Sequence, residues 1–464
     1  MRGVLVFLLL SASSVAVAQP AAARTQHPID PTEQVEREPG DDPDIEERDV
    51  PNYDGREDRP VSVGDVLIWI PRIVMFPVYL VTEFLLRRPL GFLVTNAEEA
   101  EVPDKVVQFF TFGPSNNIAL APTFSFDFGF RPTVGAFFRY NDLGSEGHNL
   151  RAGFSIARRD LLSGSVAYRW APKNGNWEMQ LSGSATKRPD GLFFGLGSQA
   201  SESLRSRYDW VSYDANLRVT GSLWRQSSIS MSLGYRNQTY GDDAIGNTTV
   251  NSLVENGLLD ELPPGFEDGV SAIIQRTRLT IDTRPSRPAP GTGARVVGEY
   301  TFGFDANDPE SQMWLNYGGT AAAFFDISGF QHVIGVHVSA AVAEALQGDV
   351  PFLELPFLST NGPMRGFVGR FLSGESEFSV LVDYHWPVWN WLDGTLHVAM
   401  GNVYDGKFED FSLENMRLSF GIGLAGVAQR DHFFEFLVGF GTDTFENRPD
   451  VESIRILFGG TREF

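Results

Sequence analysis

The sequence predicts an all-β membrane protein: a 16-stranded antiparallel transmembrane β-barrel with a short N-terminal periplasmic amphipathic helix. Three observations carry the prediction. From about Asn117 onward, apolar and polar or small residues alternate with a period of two, and the pattern does not change back. The alternating segments number sixteen, an even count that suits a single-chain barrel with both ends on one side. The chain opens with an export signal: Arg2, an apolar run from Val4 to Leu10, and Ala16-Val17-Ala18 before a cleavage site ahead of Gln19.

Composition narrows the functional classes. The chain has 464 residues, 47 glycines, 37 phenylalanines, no cysteine and a formal net charge of −22. Such an acidic balance argues against nucleic acid as a partner, because a phosphate backbone needs a basic footprint. The absence of cysteine removes disulfides and thiolate metal sites, and no cofactor is expected.

In chain order, residues 1–18 read as the signal peptide and 19–60 as a disordered acidic linker. Thirteen carboxylates fall between Asp30 and Asp58 among prolines and glycines, too little apolar surface to order a fold. Residues 61–112 read as a periplasmic, interfacial helical segment. Within it, Val66–Leu86 is long enough to span a bilayer, but Pro71 and Pro77 interrupt it and Arg72 and Glu83 are charged. Arg72, Tyr79, Glu83 and Arg87 share one helical face, so this stretch is expected to lie in an interface or dock on a larger body. A shorter helix is expected over 103–110.

Residues 113–464 form the expected barrel. Its strands are placed at 117–128, 132–141, 148–157, 161–170, 176–187, 208–220, 227–238 and 270–282. The second half follows at 292–304, 311–326, 331–344, 376–388, 391–405, 413–426, 431–441 and 451–464. Leu162, Val166, Tyr168 and Trp170 alternate with Ser163, Ser165, Ala167 and Arg169, one face apolar and aromatic and the other small or charged. The longest connections, about 188–207, 239–269 and 345–375, all follow odd-numbered strands, which makes them the loops on the far side from the termini.

The last of these connections holds Gly362-Pro363-Met364-Arg365-Gly366-Phe367-Val368-Gly369-Arg370-Phe371. Gly362, Gly366 and Gly369 are expected to adopt backbone angles other residues avoid and so fold the segment tightly. In strand twelve, Phe378, Val380, Val382, Tyr384 and Trp386 share the apolar parity, so Glu377, Ser379, Asp383 and His385 point into the lumen. A loop folded inside the barrel could bring Arg365 to Asp383 as a bidentate, charge-assisted pair.

Met364-Arg365-Gly366-Phe367 resembles the (V/M)-R-G-(F/Y) motif in the sixth extracellular loop of the BamA/TamA outer-membrane assembly superfamily, the bacterial surface antigen barrels. Ile281-Asp282-Thr283-Arg284 with Pro288, Pro290 and Gly291 is similar to that family's turn segment between strands eight and nine. Asp383-Tyr384-His385-Trp386-Pro387 is similar to the stretch ending strand twelve, and Phe464 to the C-terminal aromatic assembly signal. The resemblance covers about 110–464 and implies the same strand count. It implies a loop lock at Arg365, Gly366, Phe367 and Asp383, and a turn motif at Asp282, Arg284 and Gly291. The family's second lock carboxylate would fall at Ala399, leaving Glu299 and Glu435 as candidate substitutes. No POTRA pattern precedes the barrel, so a member lacking POTRA domains is expected.

The function implied by the resemblance is insertion, assembly or translocation of outer-membrane components in a Gram-negative cell. Its partners would be outer-membrane lipids, with outer-membrane protein clients or assembly machinery. Lateral opening at a weak first–last strand seam is part of that implication, with Gly421, Gly423 and Gly439 permitting curvature nearby. The alternative is a passive or loop-plugged transport channel, with Arg169, Arg276, Arg278, Arg417 and Glu435 setting selectivity. No enzymatic activity is expected: His385 or His397 would need a nucleophile such as Ser379 beside it.

Overall fold

A computed structural model of the protein describes residues 109–458, apart from 114, 126–129, 174, 243, 247, 286–290, 330, 360–361, 390–391 and 429–430. The signal peptide, acidic linker and helix of 66–86 lie outside the described residues, as do Pro288, Pro290 and Phe464. Of the helix expected over 103–110, only Phe109 and Phe110 are described, and both are helical.

Sixteen strands follow a two-residue strand, Thr111–Phe112, that pairs with the first of them. They are β1 (Ile118–Ser125), β2 (Thr133–Tyr140), β3 (His148–Ala157), β4 (Leu161–Trp170), β5 (Trp177–Phe193), β6 (Ser206–Ser222), β7 (Ser228–Gly241) and β8 (Val270–Asp282). Then come β9 (Gly293–Asp305), β10 (Met313–Asp326), β11 (Val333–Gln347), β12 (Ser376–Trp389), β13 (Leu392–Tyr404), β14 (Arg417–Ala428), β15 (Asp431–Thr444) and β16 (Val451–Phe458). Each pairs antiparallel with the next, in one meander. Among the described residues no register joins β16 to β1, so the described sheet is not closed by hydrogen bonds.

The strands nevertheless surround a common interior. The loop after β5 reaches the far wall, where Arg417 Nη2 on β14 donates to the Ala200 carbonyl at 2.9 Å and the Glu202 amide donates to Glu452 on β16 at 3.1 Å. Burial is inside out relative to a soluble sandwich. Val134, Phe154, Leu181, Tyr213, Val296 and Val398 are exposed, while the opposite parity buries Ser232, Thr301, Asp383 and Ser419. That is the pattern of a wall with an apolar solvent outside and polar contents within.

Several strands run past the ends their alternation suggested, β5 furthest of all. Pro189-Asp190-Gly191 carries turn chemistry, yet β5 continues through it as a bulge between Arg188 and Gly191. Buried Asp190 takes the Arg188 guanidinium at 2.9 Å and the Arg131 amide at 3.2 Å, which compensates for the disrupted ladder. β14, in contrast, begins at Arg417 instead of 413, because the preceding residues fold back on the barrel.

The three long loops form the interior core at one end of the barrel. A short helix, α1 (Val250–Glu255), is closed by a Thr249–Ser252 capping box in the loop after β7. Its Val250 and Leu253 pack with Phe266, with Tyr208 and Trp314 of the wall, and with Phe352 and Leu355 of the loop after β11. A second cluster joins Leu192 and Phe194 to Met364, Phe367, Phe371, Leu381 and Ala399. The lumen is thus filled at this end by the protein's own side chains.

Candidate functional site

The loop between β11 and β12 turns back on itself as a hairpin. Leu358 and Leu372 are joined by a backbone bond at 3.0 Å, the Met364 amide donates to the Leu358 carbonyl at 3.0 Å, and Ser359 Oγ donates to the Gly369 carbonyl at 2.8 Å. Of the three glycines expected to need unusual angles, only Gly369 adopts one, at φ +57°. Gly362 and Gly366 are required for a different reason, close approach. A Cβ on Gly366 would lie 2.6 Å from the Gly441 amide nitrogen and nearer still to the Phe440 carbonyl, both backbone atoms that cannot yield.

This hairpin presses onto the inner faces of β12 to β16. Arg365 Nη2 lies 3.4 Å from each Asp383 carboxylate oxygen, with both residues buried. One guanidinium nitrogen thus faces both oxygens of the carboxylate. His337 Nε2 stands 3.7 Å from the same carboxylate, and His397 is opposite Asp383 in the β12–β13 register. The Gly366 amide donates to Ser419 Oγ at 2.8 Å, and Ser453 Oγ donates to the Gly366 carbonyl at 2.9 Å. Phe367 is fully buried, 5.0 Å between ring centres from Phe371, which in turn sits 4.6 Å from Phe194.

Ala399, where a second carboxylate was sought, is buried in the apolar cluster with Phe367, where a charge would be costly. Glu299 is not a substitute: it faces Arg278 at 3.1 Å and Arg276 at 3.9 Å. The side chain of Glu435 lies outside the described residues. The glycines of the wall also have a role beyond curvature. Gly421 and Gly439 face each other across β14–β15, and a Cβ on Gly439 would meet the Gly366 Cα at 3.1 Å. Replacing Gly366 by Ala should accordingly destabilise the barrel by about 1–3 kcal/mol. Thermal unfolding followed on gels run without boiling would read it, and an unchanged melting temperature would contradict the close packing.

Sequence reasoning missed the second anchor of the same loop. Glu354 Oε1 meets Arg236 Nη1 of β7 at 2.5 Å, and Arg236 Nε meets Asp214 of β6 at 2.6 Å. Asn316 Nδ2 of β10 donates to the Glu354 carbonyl at 2.6 Å. Burial alone would raise the Glu354 carboxyl, but Arg236 and Arg276 more than offset this and hold it below the usual carboxylate range. The loop is thereby tied to both sides of the lumen, by Glu354 to β7 and β10 and by Arg365 to β12. The inward parity of Arg236 and Asp214 was legible, but no signal paired them with a loop more than a hundred residues away.

The turn motif is a second buried pair. Arg284 Nη2 and Nε meet Asp282 Oδ2 and Oδ1 at 2.9 and 3.2 Å, and the Arg284 amide donates to Oδ1 at 3.0 Å. The guanidinium stacks 4.3 Å from the Phe324 ring. Gly291 lies on the returning arm of that turn, beside Pro285.

The remaining lumen charges expected to set selectivity have partners. Arg169 Nε meets Glu178 at 2.9 Å, Arg278 meets Glu299, and Arg417 meets Glu452 at 2.7 Å. Ser379 Oγ is 2.6 Å from Ser339 Oγ, while His397 Nε2 lies 3.4 Å from Ser419. Among the described residues no group of acidic, histidine or cysteine side chains is arranged to hold a metal ion.

No family model matches the chain, and no curated protein matches it. Among solved structures, the chain is similar to BamA from Haemophilus ducreyi lacking POTRA domains 1-3, at 13% identity over 74% of this chain and 70% of that one, with a TM-score of 0.51. CdiB from Acinetobacter baumannii matches at 13% identity over 75% of this chain and 60% of that one, with a TM-score of 0.45. CdiB from Escherichia coli matches at 11% identity over 74% and 62%, with a TM-score of 0.47. The chain spans less than two thirds of either CdiB. The described residues have the fold of the BamA barrel.

Proposed function

We propose that this chain is an outer-membrane barrel of the BamA/TamA type that assists insertion, assembly or translocation of outer-membrane components in a Gram-negative cell. The observation that carries this reading is the inward-folded hairpin held at Arg365–Asp383 and Gly366–Ser419, seated in a barrel of that fold. A hairpin packed so closely on β12 to β16 braces that wall as far as its last strand, which leaves any opening to the seam at the wall's edge, between β16 and β1. Clients are other outer-membrane proteins or lipids reached at that seam. The formal net charge of −22 argues against nucleic acid as a partner. Nor is the protein read as an enzyme: its inward serine at 379 is engaged with another serine.

The channel reading makes the opposite demand on the lumen. Arg276, Arg278 and Arg417 are engaged by Glu354, Glu299 and Glu452, and three loops pack into one end, which favours a closed barrel over an open selective pore. In planar bilayers the purified protein should give small, erratic conductance. A large, stable conductance would replace the assembly reading with the channel one. Depletion in the parent bacterium should lower the abundance of at least one other outer-membrane component, and an unchanged envelope proteome would overturn the assembly role.

A further inference from the structure

The loop between β13 and β14, residues 405–416, lies on the outside of the barrel. Along β12 and β13 the even-numbered residues face outward, as exposed Val382 and Val398 show. Ser376, Asn402 and Tyr404 share that parity and yet are buried. The loop covers them. The Phe408 amide donates to Ser376 Oγ at 2.9 Å, Asn402 Nδ2 donates to the Asn415 carbonyl at 2.6 Å, and Tyr404 Oη donates to the Met416 sulfur at 3.3 Å. Phe411 stands edge-on to outward-facing Phe378 at 5.4 Å and packs at the same distance on Tyr404. Lys407 meets Glu344 of β11 at 2.9 Å.

The loop is held there at a cost. Phe408 and Asp410 adopt φ of +60° and +55°, a left-handed conformation that a bulky residue such as phenylalanine avoids. This conformation does not hide the loop's apolar side chains. Phe411 remains 46% exposed and Leu413 67%. Both continue the apolar belt of Val382, Val398 and Phe420 toward the rim of the barrel.

We propose that residues 405–416 form a membrane anchor, with Phe411 and Leu413 inserted among the acyl chains of the leaflet on the long-loop side. The proposal rests on the barrel's lying in a bilayer. Continuity with the lipid-facing belt selects acyl chains as the occupant. Charge argues against an anionic headgroup as the main attraction, because Glu409, Asp410 and Glu414 flank the apolar pair. Those carboxylates mark the level at which the loop meets water, and the anchor fixes the tops of β12 to β14 on the outside while the Arg365 hairpin fixes them from within.

The chain has no cysteine, so single-cysteine variants of the full protein carry a nitroxide at one place only. Leu413→Cys would be compared with Val398→Cys in the belt and Glu261→Cys in the exposed loop after β7, all folded into phosphatidylcholine vesicles. Oxygen concentrates among acyl chains and a nickel chelate stays in water. The label at 413 should collide more with oxygen than with nickel, as at 398, while 261 shows the reverse. If 413 behaves like 261 while 398 remains lipidic, the anchor is wrong and the barrel placement stands. If 413 is shielded from both reagents, protein and not lipid covers the loop, and the anchor is again wrong. An aqueous reading at 398 would overturn the bilayer placement and the anchor together.

Discussion

Replacing Arg365 by Ala should destabilise the barrel by about 3 kcal/mol, near the lower end of the range for breaking a buried ion pair. The cause is chiefly what is left behind. Asp383 is fully buried on the inner face of β12, and losing Arg365 takes away the guanidinium that offsets its charge. The lower end is expected because one nitrogen faces both oxygens at 3.4 Å, longer than a charge-assisted bond at its best. His337, at 3.7 Å, offers partial compensation. Asp383→Ala should cost at least as much, since it leaves a guanidinium in the same buried place. The double variant should cost less than the sum of the two, because neither charge is then stranded. Unfolding on gels run without boiling gives the three values, and additive losses would show that the pair is not coupled. Limited proteolysis adds a local readout: Arg365→Ala should expose the hairpin to cleavage while the strands stay protected.

The barrel itself was legible because its code is one-dimensional. A wall with lipid on one side and polar contents on the other imposes period two, and β3, β4 and β8 begin and end at the residues the alternation indicated. The same parity pointed Asp383 inward and put Arg365 within reach of it. Failures arose where a residue's environment depends on distant chain. Pro189-Asp190-Gly191 reads as a turn, and becomes a bulged strand because Arg131 and Arg188 satisfy Asp190. Gly366 and Gly439 read as sources of flexibility or curvature, but their shared property is the missing Cβ at a contact between two backbones. Glu354 has no local signature at all, since its partners stand on β7 and β8. A stripe of inward glycines at 421, 423, 439 and 441 was the one signal that could have located the docking surface. Small residues on a wall face leave room for something to lie against it.

Asp282→Ala should be as damaging as any change in the hairpin, at about 3–5 kcal/mol. Arg284 is almost wholly buried, held by two side-chain bonds and by the Phe324 ring. Removing the carboxylate takes that partner from a buried guanidinium and leaves a second cation, Arg295, directed at the vacated position from 3.9 Å. The reverse change has a different consequence. In Arg284→Ala, Arg295 can close on Asp282 and neutralise it, so the loss should be smaller. Arg284→Lys should cost less than either, because an ammonium keeps the charge although not the fork or the ring stacking. The expected order of melting temperatures is therefore wild type, Arg284→Lys, Arg284→Ala, Asp282→Ala. An Arg284→Ala loss equal to that of Asp282→Ala would remove Arg295 from the argument. Proteolysis separates this pair from the hairpin: Arg284 reaches Asp383 only by way of Phe324 and His337, whereas Ser419 and Ser453 hold Gly366 directly, so Asp282→Ala should lower the unfolding temperature without opening residues 358–372 to cleavage.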